Sequence, residues 1–376
     1  MAFVYVLAAG VLVTGLIHLA VGWAFASGLH EAAFAVRDRP PELGVWVRAV
    51  TTTSITLQSD GPRQDIGHPG KLGASWNGGY GYVGDVVDVQ GSIFVRPFQL
   101  AAGTLPPTCE DFECEPIALD PWYYPTDPHD LGLDFDTVTF ETGLGEMTAW
   151  EVPADGDRWA VMVHGWTAEK REFLRMLPTL HAAGVNSLVM NYRNDAGMPR
   201  DPGGLHRFGL TEWPDVASAI EHLNGRHPGG LILFGCSTGA ALIMRFLERT
   251  VPVDIRAVVF DAPNIMLAET IRHGTTDLRS TPLMREVGLW LADLRWKVDW
   301  DTTNFVARAE AILTMPTLVF HGTSDLTVPI SVSRHLAARL PGIVELIETT
   351  AAGHVMSWNA DPERYQRYLG GFLERL

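Results

Sequence analysis

"LILFGCSTGA", residues 231–240, contains the pattern Gly-x-Ser-x-Gly around Ser237. The apolar run "LILFG" before the serine is typical of a buried strand, and "STGAALIMRFLERT" is typical of an amphipathic helix. Chance alone would give about 0.13 such patterns in a chain with 13 serines and 37 glycines. The context of strand, turn and helix is therefore what makes Ser237 a candidate nucleophile on a sharp turn. Its neighbour Cys236 falls on a variable position of the motif and is expected to point away.

The alternation of strand and helix extends from about residue 137 towards the C-terminus. Near-continuous apolar strands separated by amphipathic helices predict an α/β fold with a mostly parallel sheet and helices on both faces. Residues 167–184 are predicted to form one of these helices. The alternation breaks at residues 263–312, a helical segment with three tryptophans, which we expect to form a cap above the carboxyl ends of the strands.

Two further segments accompany the serine motif, namely "NYRNDAGMP" (191–199) and "SWNADPERY" (357–365). The Gly-x-Ser-x-Gly turn between strand and helix gives the chain a resemblance to the α/β-hydrolase superfamily, which covers about residues 137–376, and the two segments carry a narrower resemblance. More narrowly, the chain resembles actinobacterial membrane-anchored serine hydrolases. The resemblance implies the α/β-hydrolase fold and a catalytic triad in the chain order nucleophile, acid, histidine.

The triad implied by the resemblance continues from Ser237 to an acid and a base near the C-terminus. Asp325, in "LVFHGTSDLTVP", follows a strand where the superfamily has its acid, and Asp261 in "VVFDAP" is the alternative. His354, in "ETTAAGHVMSW", follows the last strand and is predicted to be the general base. His321 and His164, at other strand ends, are the rival candidates for the base, and the resemblance implies that such positions shape the site.

The resemblance also implies an oxyanion hole made of two backbone amides. One belongs to Thr238, the residue after the nucleophile, and the other to Trp166 in "MVHGWT". His164 and Gly165 of the same loop, and Arg193 of the long connection "NYRNDAGMPRDPGG", are predicted to contact the substrate. For Arg193 the two alternatives are a grip on a phosphate or sugar headgroup and an Arg–Asp ion pair that orders its own loop.

Residues 2–28 contain no Asp, Glu, Lys or Arg and are long enough to cross a bilayer core as one helix. A cleaved signal peptide would need a basic start and a shorter apolar stretch, so a retained single-pass anchor in the cell membrane is predicted. Gly10, Thr14, His18 and Gly22 recur every four residues and form a stripe of small or polar groups. Such a stripe favours packing against a second membrane helix or another copy of the chain, with a lone anchor as the alternative.

Two opposing signals bear on which side of the membrane holds the rest of the chain. Arg37, Arg39 and Arg48 follow the apolar segment and favour the cytoplasm, but this rule weakens for long domains. Cys109 and Cys114 lie in a polar loop and form either a disulfide, which needs an oxidising compartment, or two free thiols. The balance favours an extracytoplasmic domain. No further ligands stand near the two cysteines, so a closed zinc site is not expected.

The chain has 376 residues and a formal net charge of -16, and no basic run interrupts this acidic balance. Nucleic acid is therefore excluded as a partner, because nothing would neutralise its phosphates. Three regions are predicted: a transmembrane anchor at 1–28, a membrane-proximal β-rich region with a Pro/Asp-rich loop at 29–136, and the hydrolase domain at 137–376.

These features predict a membrane-anchored serine hydrolase that cleaves carboxylic esters or thioesters through an acyl-enzyme, without a metal or other cofactor. The anchor and the aromatic cap favour a lipidic substrate. An acyltransferase acting on envelope lipids or sugars would use the same triad, and a peptidase is a further enzymatic option. A different class of function is a hydrolase-fold subunit of a membrane lipid-transport or assembly complex.

Overall fold

The computed structural model of the chain describes residues 2–36, 44–59, 65–223, 226, 229–249, 254–275 and 281–376. Arg37 and Arg39, which bear on membrane orientation, lie outside these ranges, as do residues 276–280 of the expected cap. The chain begins with a long helix, α1 (Ala2–Leu29), and a π-helical turn (His30–Phe34) that continues it. A small β-sheet region and a large α/β region follow.

The predicted β-rich region is confirmed as an antiparallel sheet that follows α1. Its strands, within the described residues, are β1 (Val45–Val50), β2 (Ser54–Ser59), β3 (Leu72–Trp76), β4 (Gly79–Val83), β5 (Asp88–Gln90), β6 (Ile93–Gly103) and β7 (Ala118–Asp120). Cys109 and Cys114, in the connection between β6 and β7, are joined in a disulfide bond. The apolar core of this sheet includes Ala352 and Met356 of the α/β region, so the two regions share one core.

The large sheet confirms the predicted α/β-hydrolase fold. Its strands, within the described residues, are β8 (Asp136–Thr142), β9 (Gly145–Val152), β10 (Arg158–Val163), β11 (Val185–Met190), β12 (Leu231–Cys236), β13 (Ile255–Asp261), β14 (Thr317–Gly322) and β15 (Val344–Thr349). Their order across the sheet is β8-β9-β11-β10-β12-β13-β14-β15. The pair β8 and β9 is an antiparallel hairpin at one edge, and all neighbouring pairs from β11 to β15 are parallel.

Helices cover both faces of this sheet because its strands are apolar on both sides. In β12, Leu231 and Leu233 pack into the core on one face, and Ile232 and Phe234 pack into the core on the other. The first face is covered by α3 (Trp213–His222), α4 (Thr238–Arg249) and α8 (Ser331–Arg339), and the second by α2 (Leu177–Ala182) and α10 (Pro362–Glu374), which the short α9 (Ser357–Ala360) precedes.

The prediction of one continuous helix over 167–184 is wrong. The structure has a 3-10 turn at Lys170–Phe173 and a separate short helix, α2, that begins at Leu177. Pro178 occupies the first turn of α2, where a missing N–H is tolerated and where a continuing helix would be interrupted.

The expected helical cap is present between β13 and β14. Its helices are α5 (Leu267–Gly274), α6 (Pro282–Trp296) and α7 (Ala309–Ile312), with a 3-10 turn at Val306–Arg308. The α5 helix is tied to the edge of the sheet, because the His273 imidazole lies 3.0 Å from the carbonyl oxygen of Asp325. The cap therefore lies over the end of β14.

The cap helix α6 packs along the C-terminal part of α1, and the two helices run in the same direction. A Cβ atom on Gly22 would lie 2.6 Å from Val287 Cγ1, and one on Gly288 would lie 2.3 Å from Phe25 Cδ1. Further along both helices, Arg295 donates a hydrogen bond to Ser27 Oγ at 2.9 Å. Gly22, at the end of the predicted stripe, is thus covered by α6 of its own chain.

Within the described part of the stripe, His18 makes a contact inside α1 itself. His18 Nδ1 lies 2.7 Å from the Thr14 carbonyl oxygen, which is one turn earlier in the same helix. The surroundings of Gly10 lie outside what the structure describes. Docking of the stripe to another membrane protein or a second copy stays a prediction.

By length and composition, the segment Leu12–Phe34 could cross a membrane, and 11% of its apolar stretch is buried inside the protein. Large apolar side chains on its surface include Leu12, Leu16 and Trp23. This exposure distinguishes the segment from a core helix of a water-soluble protein, which would be mostly buried.

Replacing Gly288 by alanine is expected to lower the melting temperature of the detergent-solubilised protein by several degrees. Glycine to alanine normally stabilises a helix, but here the added carbon would collide with the ring of Phe25 on α1. Gly28→Ala is the matched control, since among the described atoms none lies within 4 Å of a Cβ built at Gly28. Thermal unfolding followed by circular dichroism measures both variants. Equal melting temperatures for the two would contradict the close contact between α1 and α6.

Candidate active site

Ser237 lies on the sharp turn that the sequence predicts between β12 and α4. Its φ is 48°, in the left-handed region that non-glycine residues rarely adopt. A Cβ on Gly235 would lie 2.7 Å from the Ala240 nitrogen, and one on Gly239 would lie 1.9 Å from the Val163 carbonyl oxygen. Both glycines of the motif are therefore required by the close approach of backbone on either side of the serine.

The structure brings Ser237, His354 and Asp325 together at the carboxyl ends of the strands. His354 Nε2 lies 2.8 Å from Ser237 Oγ, and His354 Nδ1 lies 2.7 Å from Asp325 Oδ2. Asp261, the alternative acid, is fully buried, and its carbonyl oxygen accepts the backbone N–H of Ser237 at 2.9 Å. This backbone contact makes Asp261 part of the support of the turn, and burial raises the pKa of its carboxyl to about 7.

The Asp325 carboxylate is held by four contacts. Oδ1 accepts the backbone N–H groups of Thr327 and Val328 at 2.8 and 2.9 Å. Oδ2 faces His354 and also His321, whose Nε2 lies 3.2 Å away. Burial by itself would raise the pKa of Asp325, but the adjacent imidazoles and their hydrogen bonds hold it well below its usual range. Asp325 is therefore ionised over the working pH range.

The pKa of His354 is shifted by the same contact in the opposite direction. Burial lowers the pKa of the imidazole, but the charge and hydrogen bond of Asp325 outweigh this effect and raise the pKa above its ordinary value of 6.5. The imidazolium form is thus stabilised, as a group that takes a proton during a reaction requires.

The loop that carries His354 is held by hydrogen bonds from a buried arginine. Arg175 is 1% exposed and donates hydrogen bonds to the Val355 carbonyl at 3.0 Å and to the Asn359 side chain. Asn359 in turn donates to the Lys71 carbonyl at 2.6 Å and to the Pro121 carbonyl at 2.8 Å. The position of His354 therefore depends on the N-terminal β-sheet region as well as on the α/β region.

The loop after β10 lies directly against the nucleophile. A Cβ on Gly165 would lie 3.2 Å from Ser237 Cβ. The N–H of Gly165 is donated to Glu172 Oε2 at 2.8 Å, so the amide of Gly165 is not available to a substrate. The role of the next amide, that of Trp166, in an oxyanion hole stays a prediction. Thr238 begins α4, where an N–H has no carbonyl within the helix to bond.

Two residues predicted to contact the substrate are instead part of the scaffold. The His164 side chain is fully buried, with Nε2 2.9 Å from Asp195 and Nδ1 2.9 Å from the Gly165 carbonyl. Burial lowers its pKa, yet Asp195 raises the pKa above the usual value overall. His164 and Gly165 shape the loop before Trp166, and neither has a polar group directed at a substrate.

Arg193 is the second correction. Its guanidinium donates two hydrogen bonds to Asp215 on α3, at 2.9 and 2.7 Å, and the residue is 7% exposed. A bidentate pair of this kind leaves no room for a phosphate or sugar. The alternative, an ion pair that orders the loop, is what the structure shows: its main acid is Asp215 on α3, and Asp201 of the loop lies 3.7 Å from Arg193 Nη1.

Sequence reasoning missed the buried pair Glu172 and Arg175. Both lie in the segment that was expected to be a regular surface helix, and no motif distinguishes them from its other charged residues. Cys236 points into the core on the face of the sheet that carries α2, as expected for the variable position of the motif. Burial raises the pKa of its thiol, so it is not a competing nucleophile.

Residues 160–367 match the model of the alpha/beta hydrolase family. This chain belongs to the alpha/beta hydrolase family. Among solved structures, an esterase from Pyrococcus furiosus is similar, with 21% sequence identity and a TM-score of 0.53, over 66% of this chain and 94% of that one. An esterase domain of a Rhodothermus marinus protein also matches, with 21% identity and a TM-score of 0.44, over 65% of this chain and 99% of that one. No curated protein sequence matches the chain. The narrower resemblance to actinobacterial membrane-anchored hydrolases stays a prediction.

Asp325→Asn is expected to reduce kcat/KM for an ester substrate by about 10³- to 10⁴-fold, because the amide cannot stabilise the imidazolium. The pH profile provides the specific readout. His354 must be neutral to accept a proton, so wild-type activity falls as the pH drops through its raised pKa. Without the carboxylate, that pKa decreases and the acid limb moves to lower pH. If the acid limb of the pH profile shifts in Asp261→Asn and not in Asp325→Asn, the assignment of Asp325 as the acid is contradicted.

Proposed function

We propose that this protein is a membrane-anchored serine hydrolase that cleaves carboxylic esters or thioesters. The observation that carries the proposal is the continuous hydrogen-bonded chain from Ser237 through His354 to Asp325, with distances of 2.8 and 2.7 Å. Nucleophile, base and orienting acid in mutual hydrogen-bond reach are the arrangement that acyl transfer requires.

The reaction begins when Ser237 Oγ attacks the acyl carbon and His354 Nε2 takes the hydroxyl proton. The amides of Trp166 and Thr238 donate to the oxyanion, and the N-terminal end of α4 favours negative charge at the same point. The bond to the alcohol or thiol then breaks, and the imidazolium returns its proton to the leaving atom. A water molecule, deprotonated by His354, releases the acid from the acyl-enzyme and restores Ser237. No step needs a cofactor.

The packing of α1 supports a retained anchor rather than a cleaved leader. Gly22 and Ala26 are buried against α6, and Phe25 packs against the apolar cluster that contains Leu289 of the cap. Removing residues 2–28 would uncover this part of the cap. We therefore assign the segment to a membrane-spanning helix that holds the cap at the membrane surface.

Two further observations support the substrate class and the location. The exposed apolar surface of α1 continues onto α6 through Leu283, Trp290 and Leu294, so the cap presents an apolar face next to the membrane helix. Such an apolar cap next to a membrane would favour esters of lipidic acids as substrates. The Cys109–Cys114 disulfide favours the extracytoplasmic side, where disulfides persist.

A fluorophosphonate probe, which reacts with an activated serine, is expected to label the wild-type protein at Ser237. Ser237→Ala should abolish labelling, whereas Ser187→Ala, which removes another buried hydroxyl, should not. Labelling is measured by in-gel fluorescence and the site by peptide mass spectrometry. Equal labelling of Ser237→Ala and wild type would overturn the proposal. Product analysis with water and alcohol acceptors then separates hydrolysis from acyl transfer.

The anchor is tested on the full chain expressed in a bacterial membrane. The protein is expected to remain with the membranes after a sodium carbonate wash, and its intact mass should include residues 2–28. A mature chain that begins after this segment would show that the segment is a cleaved leader. Alkylation under non-reducing conditions should leave Cys109 and Cys114 unmodified if the domain is extracytoplasmic.

A further inference from the structure

A pocket of about 210 Å³ opens beside His354, and two distant parts of the chain line it. The α/β region contributes His354 and Val355 from the histidine loop and Trp166 and Ala168 from the loop after β10. The N-terminal region contributes Pro121 and Trp122, which follow β7. The N-terminal region therefore lines a pocket at the candidate active site.

The segment that carries Trp122 is held firmly on the α/β region. Arg171 Nη1 donates to the Asp120 carboxylate at 2.9 Å and to the carbonyls of Tyr124 and Pro125 at 3.2 Å each. The Arg171 guanidinium also lies 4.6 Å from the centre of the Trp122 ring, where a cation stacks favourably on an indole. On the other side, the Pro121 carbonyl accepts a hydrogen bond from Asn359 at 2.8 Å. Trp122 is therefore a fixed wall rather than a side chain of a loose loop.

The character of the pocket is set by its aromatic side chains. Glu172 and Arg175 also line it, and hydrogen bonds within the protein occupy Glu172 Oε2 and the Arg175 guanidinium, while Thr167 adds one hydroxyl to the lining. Glu172 accepts the Gly165 N–H, and Arg175 donates to the carbonyls of Glu172 and Val355. What remains for a ligand is largely the indole surfaces of Trp122 and Trp166, which suits an uncharged, apolar group.

The size and position of the pocket indicate which part of an ester it takes. A cavity of roughly 150 Å³ binds benzene, so 210 Å³ can hold a group of about six to eight carbon atoms. In the proposed reaction His354 returns a proton to the leaving oxygen, so the leaving group lies on the imidazole side of the acyl carbon. The pocket lies on that side, beside His354 and Val355.

We propose that Trp122, a residue of the N-terminal region, forms the outer wall of a subsite for the alcohol part of the substrate, an uncharged aliphatic or aromatic group of about six to eight carbons. The inference rests on the proposed hydrolase function. It makes the N-terminal region a determinant of specificity as well as the connection to the anchor.

The test uses full-length protein in detergent and butyrate esters of primary alcohols from ethanol to dodecanol, with a parallel series that varies the acid instead. Wild type is expected to reach its highest kcat/KM at hexyl to octyl esters. Trp122→Ala removes the wall, so the ratio of kcat/KM for dodecyl over hexyl butyrate should rise about tenfold, as expected when about two further methylenes are buried. Trp122→Phe should give an intermediate ratio, and Tyr368→Ala, at an exposed aromatic of α10, should leave the ratio unchanged.

Labelling of each variant with the fluorophosphonate probe separates this inference from the proposed function. If the probe does not label Ser237 in the wild-type protein, the proposed hydrolase function itself is overturned. If labelling is normal, a uniform loss of kcat/KM across the alcohol series with no change in the ratio would show that Trp122 only supports the histidine loop. That result, or a shift confined to the acid series, would overturn the subsite.

Discussion

The close approach of the turn after β12 to the end of β10 is the constraint on which the rest of the site depends. There is no space for side chains at Gly235 and Gly239, because backbone atoms occupy the positions that their Cβ atoms would take. The same turn forces Ser237 into the left-handed region, with φ of 48°. In this conformation the Ser237 hydroxyl lies at the edge of the sheet and faces His354, and the first amides of α4 lie beside the hydroxyl. The position of the Ser237 hydroxyl, its contact with His354 and the position of the first amides of α4 thus follow from one local geometry.

The histidine loop has no comparable local cause and is positioned by contacts from several directions. Asp325 holds the ring from the end of β14, and Arg175 bonds the backbone behind it. The core of the N-terminal sheet includes Ala352 and Met356, on either side of His354. The N-terminal region is therefore part of the structural basis of the site. The N-terminal region is thus more than a spacer between α1 and the α/β region, because it helps to position His354.

The anchor helix and the cap form a second connected unit. Phe34, at the end of the helical segment, packs in one apolar cluster with Leu289 of the cap, and Trp166 of the loop after β10 borders the same cluster. This arrangement accounts for the small residues Gly22 and Gly288 at the helix contact, where both backbones must come close.

The sequence by itself determined the α/β class, the sharp turn at Ser237 and the identity of Asp325 and His354 as its partners. The first two follow from short-range patterns, namely apolar periodicity and glycine spacing, whereas the two partners follow from the resemblance to the α/β-hydrolase superfamily. It did not determine that Arg193 pairs with Asp215, that His164 is buried against Asp195, or that Glu172 and Arg175 lie under the site. Those outcomes depend on which charged groups meet when distant segments pack. A charged residue on a surface loop and one committed to a buried ion pair have the same local sequence signal, so only the tertiary structure decides between them.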